Sequence, residues 1–224
     1  KVLWTRQAFL RLADIQALNT RFERNADGEF LLHHSVGSPC QPNDYQPLVT
    51  PLPPKAKKRI TAAGGRPTSS DLSYFNVQWP KEGVIAAVGW PGQWAAEFVR
   101  DEGKGLRIHA GQETTHFKLH PGEEVRSPLI VLQFYQGDWL RAQNIWRRWF
   151  IAHNLPRPGG KLVPTHYASC FGNPQPQADE EIAVINGCLR EGIKLDYWII
   201  DAGWYPDRGS WVNVGTWDVD RERF

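Results

Sequence analysis

Short runs of alternating apolar and polar residues fill the first 137 positions, with turn residues between them. Alternation shows in Asp14-Ile-Gln-Ala-Leu-Asn19, in Phe30-Leu-Leu-His-His-Ser-Val36 and in Phe75-Asn-Val-Gln-Trp79. Val84-Ile-Ala-Ala-Val88 is apolar throughout and stops at Gly89-Trp-Pro-Gly92, the pattern of a strand buried on both faces. The segments 106–110 and 114–119 alternate again before Pro121-Gly122, and 127–135 closes the series. Successive strand side chains point to opposite faces, so each run offers one apolar face to a core. Many such runs at regular spacing predict a β-sandwich or barrel. The stretch 51–71, rich in Pro, Lys, Gly and Ser, reads as a long loop.

At Gly137-Asp138 the period changes to that of a helix. Asp138 suits an N-cap, and Trp139, Ala142, Trp146, Trp149, Phe150 and His153 form one stripe, flanked by Arg141, Arg147 and Arg148. The helix should stop before Pro156, and Pro156-Arg-Pro-Gly-Gly160 reads as a linker. A β-α-β unit follows. Its first strand is expected over 165–171. Its helix starts at the acidic turn Asp179-Glu-Glu181, which the macrodipole favours. Ile182, Ile185, Cys188 or Leu189, and Gly192 continue that helix to about Glu191, and Lys194 to Asp201 forms the second strand. Strand, helix and strand in so short a span imply parallel pairing. The rest, from Tyr205 on, is a loop with turn signals at Pro206-Asp-Arg-Gly209 and Asn213-Val-Gly215. The expected organisation is a β-sandwich domain at 1–137, a linking helix and linker at 138–160, and a truncated α/β region at 161–224.

Composition is that of a soluble globular protein, with 41% hydrophobic and 22% charged residues. No apolar run reaches the roughly 18 residues that mark a membrane helix, so no membrane partner is expected. A net charge of +2, with basic residues scattered apart from Lys55-Ala-Lys57-Lys58-Arg59, disfavours nucleic acid as a partner. That basic cluster follows prolines and reads as a solvated loop. Cys40, Cys170 and Cys188 lack metal or redox spacing, and no leader pattern opens the chain; cytoplasmic residence fits, with one disulfide left open. The absence of any Met and the ending at Arg221-Glu-Arg-Phe224 suggest a piece of a longer protein. Eleven tryptophans are unusual. Trp139, Trp146 and Trp149 suit a helix face, while Trp90, Trp94, Trp204, Trp211 and Trp217 fall in Gly- and Pro-rich turns where exposure is expected, which favours a stacking ligand.

The run Leu195-Asp-Tyr-Trp-Ile-Ile-Asp201-Ala-Gly-Trp204-Tyr205 carries the clearest chemistry. It delivers one carboxylate to the C-terminal end of a short strand, followed by a glycine turn and an indole. A carboxylate accepts from sugar hydroxyls and an aromatic face covers a sugar ring's apolar side; α/β barrels keep their active sites at that strand end. The competing reading makes Asp201 a cap of the turn before Gly203. Paired carboxylates elsewhere, Glu123-Glu124 and Asp179-Glu180-Glu181, read as solvated or capping groups, and Asp218 and Asp220 have no evident partner. His109, His116 and His120 match no metal-ligand spacing. No phosphate loop, Ser-centred elbow or Cys-His pair is present. No cofactor and no metal are expected.

Four blocks taken in order resemble family 36 glycoside hydrolases, the α-galactosidase (melibiase) group. They are Gly89-Trp-Pro-Gly-Gln-Trp94, Ala142-Gln-Asn-Ile-Trp146-Arg-Arg-Trp149, Lys194 to Trp204, and Gly215-Thr-Trp-Asp-Val-Asp-Arg-Glu-Arg-Phe224. The resemblance covers nearly everything from Tyr74 onward. It implies an N-terminal β-sandwich (supersandwich), a linking helix and the opening β-α-β unit of a (β/α)8 barrel. Such a barrel takes about 250 residues, so its remaining strands would lie beyond Phe224.

The implied activity is retaining exo-hydrolysis of terminal α-linked galactose by two carboxylates on later strands, so no catalytic residue is carried over and this chain alone is expected to be inactive. Asp201 matches the first Asp of the family's Asp-Asp-Gly-Trp motif, whose carboxylates hold sugar hydroxyls, and Trp204 matches its Trp. The second Asp is Ala202 here, which leaves the sugar's identity open. Trp94 is assigned to the core or to the border of the pocket. The implied partner is an α-galactoside, and homo-oligomerisation is compatible with the reading. A non-catalytic carbohydrate-binding protein, a galactosyl transferase on the same scaffold, and a structural module for oligomer contacts stand as alternatives.

Overall fold

A computed structural model describes residues 10–164, 166, 168–170, 176–206 and 210–224. The chain divides into two units, Lys1–Asn154 and Leu155–Phe224.

The strands of the first unit are β1 (Leu10–Leu12), β2 (Ile15–Glu23), β3 (Phe30–Ser35), β4 (Pro47–Leu52), β5 (Lys57–Thr61), β6 (Tyr74–Trp79), β7 (Glu82–Gly89), β8 (Trp94–Arg100), β9 (Gly105–Gln112), β10 (Phe117–Leu119) and β11 (Leu129–Gln136). They form a five-stranded sheet in the order β11-β7-β6-β3-β4 and a four-stranded sheet in the order β2-β9-β8-β5, with β1 paired to β10. All of these pairings are antiparallel. The two large sheets share one core. Phe30, Leu32, Phe75, Val77, Val84 and Ala86 from the first meet Trp94, Ala96, Phe98, Leu106 and Ile108 from the second. This is a β-sandwich, and its inward residues follow the period-two pattern of the sequence; β8 alternates buried and half-buried positions along its whole length.

β7 departs from alternation for a physical reason. Val84, Ala86 and Val88 face the sandwich core, while Ile85 on the other face packs with Tyr135 and with Ala142 of helix α1 (Trp139–His153). Both faces are covered, so an unbroken apolar run is what the site requires. Gly83 on the same strand admits no side chain, because a Cβ there would run into the Tyr135 hydroxyl and the Val77 carbonyl.

Three expectations are corrected here. Residues 51–71 are a long loop only over 62–70: β4 runs to Leu52 and β5 occupies Lys57–Thr61, with Leu52 and Ile60 buried. Both are edge strands, where proline and lysine are tolerated, and those residues mask the strand pattern. Of the basic cluster, Lys57, Lys58 and Arg59 are accordingly in the β5 ladder and Lys55 stays in the exposed turn before it: Lys57 pairs with Glu97 at 3.0 Å, Lys55 with Glu102 at 2.6 Å, and Arg59 with Glu113. Trp94 is not exposed in a turn but takes the core role, of the two assigned to it, rather than the pocket border: it is fully buried, with its indole N–H donating to the Pro67 carbonyl at 2.7 Å.

Helix α1 begins where the sequence predicts. The Asp138 carboxylate accepts from the Arg141 backbone N–H at 2.8 Å, and the helix closes at Asn154, two residues before Pro156. Ala142 is the residue it buries completely, while Trp139 stays 48% exposed.

In the second unit β12 (Ala168–Cys170) and β13 (Tyr197–Ile199) pair in parallel, with helix α2 (Ala178–Arg190) between them in sequence. Of the predicted first strand, Thr165, Tyr167 and Phe171 lie outside the described residues, as do 207–209 of the Pro206 turn. Asp179, Glu180 and Glu181 occupy the first turn of α2 and Arg190 the last, both matched to the macrodipole. Gly192 is not part of the helix but its cap. With φ of +76°, it lets its own N–H reach the Leu189 carbonyl and that of Ile193 reach Cys188, the paired bonds of a Schellman motif.

Candidate functional site

Asp201 follows β13 after one residue, Ile200, and its side chain is exposed. Its Oδ1 accepts from the Ala202 backbone N–H at 2.7 Å, so the carboxylate does hold the turn. The turn needs its glycine: Gly203 has φ of +108° and is buried. One carboxylate oxygen in that bond leaves the other with its full capacity to accept from a ligand hydroxyl. The turn role and a binding role are therefore compatible at this residue.

Trp204 is half-buried and sits in an aromatic cluster. Its ring lies 4.9 Å from Tyr205 and 5.9 Å from Trp217, and Tyr205 and Trp217 are themselves 5.9 Å apart. Tyr205 is buried, whereas Trp217 is 71% exposed and held at φ of +61°. The C-terminal segment is tied to this cluster through its backbone. The Asp220 N–H donates to the Trp204 carbonyl at 3.0 Å, and Arg223 Nη2 donates to the Tyr205 carbonyl at 2.9 Å. Asp220, for which the sequence shows no partner, is bonded to Arg223 Nε at 2.9 Å, and that guanidinium holds its carboxyl below the usual range.

Glu181, which its place in an acidic helix-start run makes a solvated or capping group, is instead buried by the fold. Glu181 is 3% exposed, and its Oε2 accepts from the Trp198 indole N–H at 2.5 Å. This bond locks β13 to α2 one strand-length before Asp201. A sequence signal existed only in hindsight: a helix-start Glu and a strand Trp are each ordinary, and seventeen positions separate them. Of the other loop tryptophans, Trp90 packs against the sandwich core and the Trp211 side chain lies outside the described residues.

The block Gly89 to Trp94 turns out to be architectural. Gln93 donates to Glu113 at 2.6 Å and to Thr61 at 2.7 Å, while its carbonyl accepts from the Gly64 N–H at 2.7 Å. Burial pushes the Glu113 carboxyl up, but bonds from Thr61, Gln93 and Arg59 outweigh it and leave the group below its ordinary value. Among the described residues no group of three or more His, Cys, Asp or Glu side chains is placed to hold a metal ion. His109 instead bonds Gln16, and the His120 N–H donates to Glu123.

No protein-family model matches the sequence, and no curated protein matches it either. Solved structures do. An α-galactosidase from Lactobacillus brevis is similar with a TM-score of 0.68 and 14% identity, over 91% of this chain and 28% of that one. A family 36 α-galactosidase from Geobacillus stearothermophilus, solved in complex with stachyose, gives 0.72 and 14%, over 92% and 29%. The galactosidase domain of an α-galactosidase–sucrose kinase gives 0.71 and 15%, over 89% and 28%. The chain thus spans less than a third of the length of the structures it matches. Its fold is that of the N-terminal region of family 36 α-galactosidases.

Proposed function

We propose that the chain is the N-terminal part of a retaining, exo-acting α-glycosidase, most simply an α-galactosidase, in which residues 161–224 open a (β/α)8 barrel. The observation that carries this reading is the match in fold to α-galactosidases over about nine-tenths of the chain. The geometry at β13 supports it: an exposed carboxylate at a parallel strand's C-terminal end, beside an aromatic cluster. In this role Asp201 accepts from sugar hydroxyls and Trp204 lines the pocket. The nucleophile and the acid/base, carboxylates about 5 Å apart in retaining enzymes, belong to parts of such a protein that this chain does not span.

The test is hydrolysis of an aryl α-galactoside, by the 224-residue chain and by the uninterrupted gene product that contains it. The chain alone should show no turnover, and the larger product should hydrolyse the galactoside. Asp201→Ala in the larger product should lower kcat/KM by roughly ten- to a hundredfold, the loss expected for one charged hydrogen bond. Turnover by the chain alone would place the catalytic pair within it and sink the assignment. Product analysis with an added acceptor sugar separates a hydrolase from a transferase.

A further inference from the structure

Far from Asp201 in sequence, a cleft of about 470 Å³ opens where α1 crosses the five-stranded sheet, and all its lining residues belong to the first unit. The volume falls within the roughly 300–1,000 Å³ of small-molecule sites. Its walls are aromatic. Trp139 and Trp146 come from α1 and Tyr74 from β6. Trp139 stacks on His33 with 20° between the rings and 5.9 Å between centroids, and Tyr74 meets Trp146 at 5.6 Å. Trp139 and Tyr74 nevertheless remain 48% and 40% exposed, so ring area is still available.

The polar groups are those of a neutral ligand site. Among the described residues no Asp, Glu, Lys or Arg lines the cleft, which argues against phosphates, carboxylates and cations as ligands. Asn76 is only 5% exposed; its Oδ1 accepts from the Tyr135 hydroxyl at 2.7 Å, yet its Nδ2 has no partner. Folded proteins seldom leave a buried amide N–H unmatched. A side-chain rotation of the kind that commonly accompanies binding is what this amide needs to meet a ligand hydroxyl. His33 Nε2 lies 2.8 Å from Gln78 Oε1; an amide oxygen only accepts, so Nε2 donates, and in the neutral ring Nδ1 is then an acceptor. Gln143 of α1 adds a side chain that can donate and accept.

We propose that this cleft, lined by residues of the first unit, binds a neutral oligosaccharide of about two or three pyranose units. Sugar rings present apolar C–H faces to the indoles and hydroxyls to Asn76, His33 and Gln143. A ligand without polar groups would fill the same walls but leave the buried Asn76 Nδ2 unmatched, which burial penalises. The proposal stands independently of the barrel reading.

Calorimetric titration of the 224-residue chain with raffinose and with maltotriose tests it. Saturable binding of at least one sugar is expected. Trp139→Ala should weaken it by about tenfold or more, as loss of an aromatic anchor does elsewhere. The half-exposed position of Trp139 lets that variant fold, which circular dichroism checks, and Gln143→Ala provides a second variant with a smaller effect. Asp201→Ala should leave the binding of maltotriose, which has no α-galactosyl end for an Asp201 mouth to hold, unchanged. Absence of saturable binding by both sugars overturns the proposal, as does binding that both cleft variants leave intact. Binding abolished by Asp201→Ala alone also overturns it, while supporting the barrel-mouth reading.

Discussion

In the first unit Phe30, Phe98, Leu106 and Trp94 are completely buried; in the second, Ile182, Leu189, Tyr197 and Ile199 are between 53% and 56% exposed. These are the same kinds of residue in equally regular patterns, so hydrophobicity alone does not separate the two regions. What differs is the number of layers. Two sheets and α1 give every apolar face of the sandwich something to pack on. A parallel pair of three-residue strands with one helix leaves faces and edges open, and parallel sheets are stable when both faces are covered. The sandwich has a closed core, whereas among the described residues of the second unit the strands and helix of an α/β layer keep large apolar side chains exposed.

The sharpest way to break that contrast is to delete matched side chains. Phe98→Ala should cost the sandwich about 3–5 kcal/mol in urea unfolding, the price of an aromatic-sized cavity. Ile199→Ala should change stability by no more than about 0.5 kcal/mol. Comparable losses at both positions would show that the second unit is as closed as the first.

A smaller effect is expected at the junction of strand and helix periods. Asp138→Ala removes the side-chain acceptor of the Arg141 N–H and should destabilise by about 1 kcal/mol, read from the same unfolding curves. The smallest is a pH effect on the sandwich edge. Glu113 has a depressed folded value, so its stabilising contribution is complete above the ordinary carboxylate range and fades as pH falls through the folded value. Glu113→Gln should flatten the acid limb of the stability profile, while leaving the slope above pH of about 6 unchanged.

Much of this architecture was legible in the sequence because it is local. The alternating runs appear as strands, the change of period at Asp138 as α1, and the acidic turn as the start of α2. The misreadings share one cause. At 51–71 prolines and lysines obscured two edge strands whose identity depends on their neighbours in the sheet. Trp94 sits beside a glycine-proline turn, yet the opposing sheet covers it with Phe75. Glu181 is one of three acidic residues in a row, and only its contact with Trp198 sets it apart.

The Asp201 turn shows both sides of that division. The order Asp-Ala-Gly-Trp by itself determined a capped turn with a glycine at positive φ after a short strand, since adjacent residues restrict one another's backbone angles wherever they are placed. That Trp204 shares a cluster with Trp217, that Asp220 and Arg223 bond the carbonyls of Trp204 and Tyr205, and that the described walls of the cleft under α1 carry no acidic residue, Lys or Arg were decided by the tertiary structure. Such contacts join positions far apart in the chain, and their energy depends on burial and geometry that no local stretch contains.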